Sequence, residues 1–231
     1  MARYVVGDIH GAHKALVQCL ERASFNKEQD LLISLGDICD GWPEVHKVMD
    51  ELLSIPNRRI LLGNHDQWSL RWMQEGWKGR EWTTQGGQGT LESYGKDRAN
   101  VPPAHRKLIE EARKYLEIDG KLFVHAGVDP TRHLTHQDEE TLLWDRDLVY
   151  NAARHHKTDP EHRYGEWTDI FVGHTTTLVY KTTEPMRVCN IRALDTGAGW
   201  SGKLTLMDID TYAYWQSDPV PTLYPGVRGR R

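Results

Sequence analysis

Five short glycine-flanked motifs constrain this chain more than any other feature. They are Gly-Asp-Ile-His-Gly at 7–11, Gly-Asp-Ile-Cys-Asp at 36–40, Gly-Asn-His-Asp at 63–66, His-Ala-Gly at 125–127 and Gly-His-Thr at 173–175. Each follows an apolar, β-type run: Tyr4-Val5-Val6, Leu31 to Leu35, Ile60-Leu61-Leu62, Leu122-Phe123-Val124 and Ile170-Phe171-Val172. Hard nitrogen and oxygen donors at the C-terminal ends of buried strands, beside glycines that let the backbone turn sharply, are what a metal site in an α/β fold needs. One such motif is weak, but five in one chain are specific.

The intervals between the motifs alternate strand and helix. Leu16, Cys19, Leu20 and Ala23 recur at helical spacing and predict an amphipathic helix over 12–23. Strand 31–35 follows. Pro43 then suits a first helical turn, ahead of the apolar series Val45, Val48, Met49, Leu52 and Leu53. Asn57 breaks that helix before strand 58–62. A β-α-β-α-β opening implies parallel strands with right-handed crossovers. Late in the chain, Lys203–Asp210 and Thr211–Trp215 read as consecutive strands that extend a sheet in mixed or antiparallel fashion. There is no internal repeat. The expected organisation is one domain over 1–215, with a Trp-rich insert or lid at about 67–103 and a C-terminal tail at 216–231.

At 231 residues and 39% hydrophobic, the chain is long enough to bury a full core. A net charge of −4 argues against a generic nucleic-acid binder. Cys19, Cys39 and Cys189 are odd in number and lack CxxC spacing, which fits a reducing compartment. The first strand starts by Arg3 or Tyr4, which leaves no room for a signal peptide, and no apolar stretch approaches the ~20 residues a membrane span needs. The expectation is a soluble, cytoplasmic protein with no membrane partner.

Asp8 and His10 stand two residues apart, so in an extended turn they converge on one ion. Asp37 ends the neighbouring strand with a carboxylate that can bridge two cations. Asn64 offers a neutral carbonyl oxygen, and His125 and His174 offer imidazoles. Together they supply a centre for two divalent ions, with Asp8, His10 and Asp37 on one and Asp37, Asn64, His125 and His174 on the other. Two ions about 3.5–4 Å apart clamp a phosphoryl group and generate a hydroxide near neutral pH. Mixed N/O sites suit Mn, Fe, Zn or Ni, with Mn the first choice.

The ordered motifs resemble those of the calcineurin-like metallophosphoesterases, especially the phosphoprotein-phosphatase and bacterial or phage-type Ser/Thr phosphatase branch. The resemblance runs from residue 3 to about 210 and includes Leu194-Asp195-Thr196-Gly197 to Leu204, similar to that branch's LDTG-x-x-x-GGKL stretch. It implies a four-layer α/β/β/α sandwich of two mixed β-sheets flanked by helices, and its ligand positions match those above. His65, next to Asn64, should point away from the ion toward substrate and protonate the leaving oxygen. Asp40 is the carboxylate to hold it oriented and protonated, as the family's matching residues do.

Two departures stand out. The phosphoprotein phosphatases read GDxVDRG with a phosphate-gripping Arg, whereas Asp40 here is followed by Gly41-Trp42-Pro43; they also favour Glu where this chain has Asp66. Arg146, where several family members place a second phosphate-binding Arg, and Asn64 beside its metal role are the candidate phosphate-binding residues, with a surface salt bridge the alternative for Arg146. Trp68, Trp72, Trp77 and Trp82 either anchor a helix on the core or form a wall over the metals. The Arg228-Gly229-Arg230-Arg231 terminus could touch phosphate or nucleic acid, but its default reading is a frayed, solvated tail; His155-His156 with His162 resembles a metal-rich patch but reads first as a solvated helix end and loop. The functional expectation is a binuclear metal-dependent phosphomonoesterase, with a phosphoprotein or nucleotide as substrate. A dinucleoside polyphosphate hydrolase or nucleotide phosphodiesterase is the alternative. A non-catalytic scaffold of this fold would tend to lack His65 and some ligands.

Overall fold

Alternation decides how β1 (Arg3–Val6) is used: Tyr4 and Val6 face one apolar cluster and Val5 another. Side chains along a strand point to opposite faces, so a strand buried on both sides must be apolar throughout. β2 (Leu31–Ser34) and β3 (Arg58–Ile60) continue from β1 in parallel, linked by helices α1 (His13–Arg22) and α2 (Val45–Leu53). Further along the chain come β4 (Tyr115–Ile118), β5 (Lys121–Val124), β6 (Asp169–Val172), β7 (Met186–Val188), β8 (Ile191–Ala193), β9 (Thr205–Asp208) and β10 (Tyr214–Gln216). The computed structural model describes residues 1–230; Arg231, part of the predicted tail, lies outside the described residues.

One sheet has the order β10-β9-β1-β2-β3 and the other β4-β5-β6-β8-β7. Both are mixed. β9 runs antiparallel to β1 and β10 antiparallel to β9, while β5, β6 and β8 are parallel with antiparallel β4 and β7 at the edges. The sheets bury a shared layer in which Val5, Ile33, Phe123, Phe171 and Met207 meet. The Phe123 and Phe171 rings stack with centroids 4.7 Å apart, a pair contributing about 0.5–1.5 kcal/mol beyond its area. On the outer face of the first sheet lie α1, α2 and α3 (Asn64–Glu75), through Leu16, Val48 and Trp72. Leu142, Leu148 and Val149, from helices Glu139–Trp144 and Asp147–His155, cover the second. The result is the expected four-layer sandwich of two mixed sheets flanked by helices.

Three local expectations shift. Pro43 lies two residues before α2, in a turn. β3 stops at Ile60; the Leu61 amide still donates to Ser34 O, and on the outer edge Leu61 forms an isolated parallel bridge with Arg113. Gly229 and Arg230 are half-buried rather than a solvated tail, whereas Arg228 is exposed. Tyr224 stacks on buried Trp42 with centroids 5.0 Å apart, and the Arg230 amide donates to Gly199 O at 2.9 Å. Among the described residues, no helix is long and apolar enough to cross a membrane.

Candidate metal centre

Every strand that precedes a motif delivers its polar residues at the same end of the sandwich. Asp8 and His10 follow β1, Asp37 follows β2, Asn64 opens α3 after β3, His125 follows β5 and His174 follows β6. Backbone geometry is unusual there: His10, Asp37, Asp40 and His174 all hold positive φ, between 48° and 71°. Such conformations cost of order 1–3 kcal/mol each and persist only where the surroundings enforce them. One enforcement is close approach at Gly173, where a Cβ would stand 2.1 Å from Asp8 Oδ1. Asp66 is another, and the sequence reading saw only its departure from Glu. Its Oδ1 accepts from the amides of Ile38 and Cys39 at 2.9 Å each, and its Oδ2 from Gly63 at 3.1 Å. A carboxylate at the third residue of α3 thereby fixes the loop bearing Asp37 and Asp40.

The structure brings all six expected ligands together. The donor atoms of Asp8, His10 and Asp37 lie within 4.8 Å of one another, and so do those of Asp37, His125 and His174. Asp37 stands between the two groups, with Oδ2 3.5 Å from His10 Nε2 and Oδ1 3.5 Å from His125 Nε2. Asn64 Oδ1 sits 2.9 Å from His125 Nε2 and 3.0 Å from His174 Nδ1. Backbone carbonyls set two ring tautomers: His10 Nδ1–H donates to Cys39 O and His125 Nδ1–H to Leu35 O. Each ring therefore turns an Nε2 lone pair toward the cluster.

Burial dominates the electrostatics. It pushes Asp8 well above the usual carboxylate range, with repulsion from Asp195 and Asp37 adding to it, and lifts Asp37 to about 7. The same desolvation pushes His10 and His174 far down and His125 to about 4. Asp37 Oδ2 and His174 Nε2 are buried without a hydrogen-bond partner. Such an atom costs about 1–3 kcal/mol. Converging lone pairs from carboxylate, amide and imidazole, two of them otherwise unmatched, fit divalent cations of borderline hardness.

His65 lies beside this cluster with Nδ1 2.6 Å from Asp40 Oδ2, its Nε2 buried and unpartnered. Arg146, exposed at the rim, donates from Nη1 to His174 O at 2.9 Å. The segment 67–103 divides: Trp72 and Trp82 are core residues, while half-buried Trp68 meets the His65 ring edge-on at 5.1 Å. His155, His156 and His162 belong to the far side of the second sheet. Two residues absent from the sequence reading of the site join it. Asp195, buried after β8, repels Asp8 and Asp37 and adds to the rise of both carboxyls; its place in the LDTG-like stretch was the available signal. Arg230 reaches His10 Nε2 at 2.9 Å, and no local pattern announces that contact.

The model of the family described as calcineurin-like phosphoesterase matches residues 1–200. A symmetrical bis(5'-nucleosyl)-tetraphosphatase of Pseudomonas putida is 27% identical over 94% of this chain and 93% of its own length. A solved structure described as a candidate diadenosine tetraphosphatase superposes with a TM-score of 0.67 at 17% identity, covering 94% of this chain and 92% of its own. A metallophosphoesterase from Sphaerobacter thermophilus gives 0.57 at 16% identity, covering 95% and 89%.

Proposed function

The chain belongs to the calcineurin-like phosphoesterase family, hydrolases of phosphoesters that use divalent metals, and from that premise we propose that its substrate is a bis(5'-nucleosyl) tetraphosphate. The observation that carries this reading is similarity over nearly the full length of both chains to enzymes bearing that name. It moves the weight from the phosphomonoesterase expected from sequence to the alternative beside it. The loop after Asp40 agrees: where protein phosphatases would place a gripping Arg, Gly41 holds positive φ and Trp42 is buried with Nε1–H donating to Ala198 O at 2.8 Å. A cleft of about 730 Å³, lined by Gly41, Pro43, Thr83, Gln88 and Gly229 among others, adjoins Arg230 and leaves room for a nucleoside.

On this reading Asp8, His10 and Asp37 hold one cation, Mn being the first choice, and Asp37, Asn64, His125 and His174 hold the other. Bound there, divalent ions supply Lewis-acid polarisation of phosphoryl oxygens and the acidification of water that hydrolysis needs. The residues do the rest. Asp40 orients His65 so that Nε2 faces the leaving oxygen and handles its proton. Arg146 and Asn64 face the transferred phosphoryl. Water oxygen adds to phosphorus, the bridging P–O bond breaks, and symmetric cleavage of a tetraphosphate leaves two nucleoside diphosphates. Three buried free cysteines suit a reducing, cytoplasmic setting.

The test uses protein stripped of metal and reloaded with Mn²⁺. Turnover of diadenosine tetraphosphate is compared with that of p-nitrophenyl phosphate, its bis ester and a phosphoserine peptide, with products separated by ion exchange. The expected result is fastest turnover of the tetraphosphate, with ADP as the sole product. Faster cleavage of the phosphopeptide, or release of ATP with AMP, would overturn the assignment.

A further inference from the structure

The C-terminal segment enters the site, and Arg230, its last described residue, is placed by several independent contacts. The Arg230 amide donates to Gly199 O at 2.9 Å, and its Nε–H to Gln85 O at 3.1 Å. Its guanidinium carbon lies 4.7 Å above the Trp200 ring. The side chain runs through a passage that only glycines leave open: a Cβ on Gly86 would stand 2.8 Å from Arg230 Cγ, and one on Gly199 3.0 Å from Cδ. Upstream, buried Val220 and Tyr224 tie the segment down, with the Val220 amide on Gly202 O and the Tyr224 hydroxyl donating to Glu44 at 2.6 Å. The path is built, and it ends at His10.

What the guanidinium lacks is an anion. No carboxylate among the described residues forms an ion pair with it, and its Nη1 instead donates to the neutral Nε2 of His10 at 2.9 Å. Five N–H groups in a planar fork, two of them committed here, leave three donors beside the cluster. Its charge reaches Asp8, Asp37, Asp40 and Asp195, partly offsetting the upward push that burial gives each carboxyl. An imidazole nitrogen has one lone pair, so the contact to His10 and a cation at that nitrogen exclude each other. The fork must then turn its donors to an anion sharing the site. A guanidinium matches two phosphate oxygens at once, which an ammonium does not.

We propose that Arg230 is a substrate-binding residue, carried in by the C-terminal segment to grip phosphate oxygens of the polyphosphate from the side of Gly86 and Trp200. The inference rests on the phosphoester reading of this site. It places the phosphate chain between Arg230 and the rim residue Arg146, and the nucleoside beyond it in the adjoining cleft.

Arg230→Met keeps the aliphatic stem in the glycine passage and removes the fork, while Arg230→Lys restores charge alone. Calorimetric titration of inorganic phosphate into Mn²⁺-loaded protein gives a readout independent of turnover, with Mn²⁺ stoichiometry and thermal midpoint measured alongside. The expected result is phosphate binding weakened about ten-fold or more in Arg230→Met. Arg230→Lys should recover only part of that loss, and both variants should keep the wild-type metal stoichiometry. With diadenosine tetraphosphate, the loss should fall on KM more than on kcat. Phosphate affinity within two-fold of wild type in Arg230→Met would overturn the proposal and leave the arginine a structural strap. Tighter Mn²⁺ binding with unchanged phosphate affinity would also overturn it, making Arg230 a competitor of the cation. Wild-type, metal-loaded protein that binds no phosphate would instead count against the phosphoester reading itself.

Discussion

Nδ1 of His65 lies 2.6 Å from Oδ2 of Asp40, and that carboxylate is held in turn by three donors from the Trp-rich segment. Thr90 Oγ1 and Ser69 Oγ donate to its Oδ1 at 2.7 and 2.9 Å, and Trp82 Nε1 stands within 2.9 Å of both oxygens. Four partners in a buried pocket fix the carboxylate, and the carboxylate fixes the imidazole plane. The His65 imidazole is thus oriented, through Asp40, by residues 29 to 50 positions from Asp40 in sequence.

His65→Ala should therefore retain metal and lose turnover. General acid–base catalysis contributes roughly 10²- to 10⁴-fold, so kcat should fall within that range while metal content by elemental analysis stays at the wild-type value. Full activity in His65→Ala would remove His65 from the reaction. Asp40→Asn should cost turnover as well as stability, because an amide nitrogen would face donors where an oxygen now accepts.

Trp82→Phe probes the same network from outside. It keeps most of the buried ring, which packs against Trp77 and Trp72, and deletes the N–H that reaches Asp40. A lost hydrogen bond to a buried carboxylate costs about 1.5–3 kcal/mol. The thermal midpoint should drop accordingly, and kcat should decline several-fold with KM nearly constant. An unchanged kcat in a folded Trp82→Phe protein would show that the indole only fills space.

Much of this was legible in the chain because it is written locally. Short continuous apolar runs and adjacent glycines mark the strand ends that carry Asp8, Asp37, His125 and His174, and all six expected ligands converge as their motifs implied. The rest depends on approach in space. Asp66 looked like a substitution for Glu until its carboxylate met the amides of Ile38 and Cys39. Arg230 contacts His10 across 220 positions, through a passage shaped by Gly86 and Gly199, and its local sequence looks like any basic terminus. Strands β7 and β8 are three residues each, too short for alternation to register. Trp72 and Trp82 differ from Trp68 only in where α3 and its following turns put them.

Away from the site, Glu51 gives a pH prediction. His13 and then Lys27 hold its carboxyl down to about 2 against the opposing effect of burial, with Lys27 Nζ 2.5 Å away. A depressed folded-state pKa contributes stability that is present above the unfolded value of about 4.3 and lost as pH falls toward 2. Because Lys27 is 44% exposed, solvent screening reduces the contribution to roughly 1 kcal/mol. Urea midpoints at pH 7 and pH 3 should therefore differ less in Glu51→Gln than in wild type. Equal differences in the two proteins would show that the pair contributes nothing.

Asp37→Asn tests the centre as a unit. Asp37 directs one carboxylate oxygen toward His10 and the other toward His125, and Oδ1 also accepts the His65 amide at 2.9 Å. An amide in its place keeps the size and that one hydrogen bond, but offers a single neutral oxygen to two groups of ligands. If the two groups of donors hold separate ions joined only through Asp37, this substitution should weaken both sites together. Titration of Mn²⁺ should then fall from two equivalents to none at micromolar metal. Asp8→Asn, which touches only one group, should leave one equivalent bound. The fold should survive both changes, since burial has already pushed each carboxyl toward its neutral form. Loss of a single equivalent in Asp37→Asn would mean that the second group of donors is complete without it, and that Asp37 does not bridge.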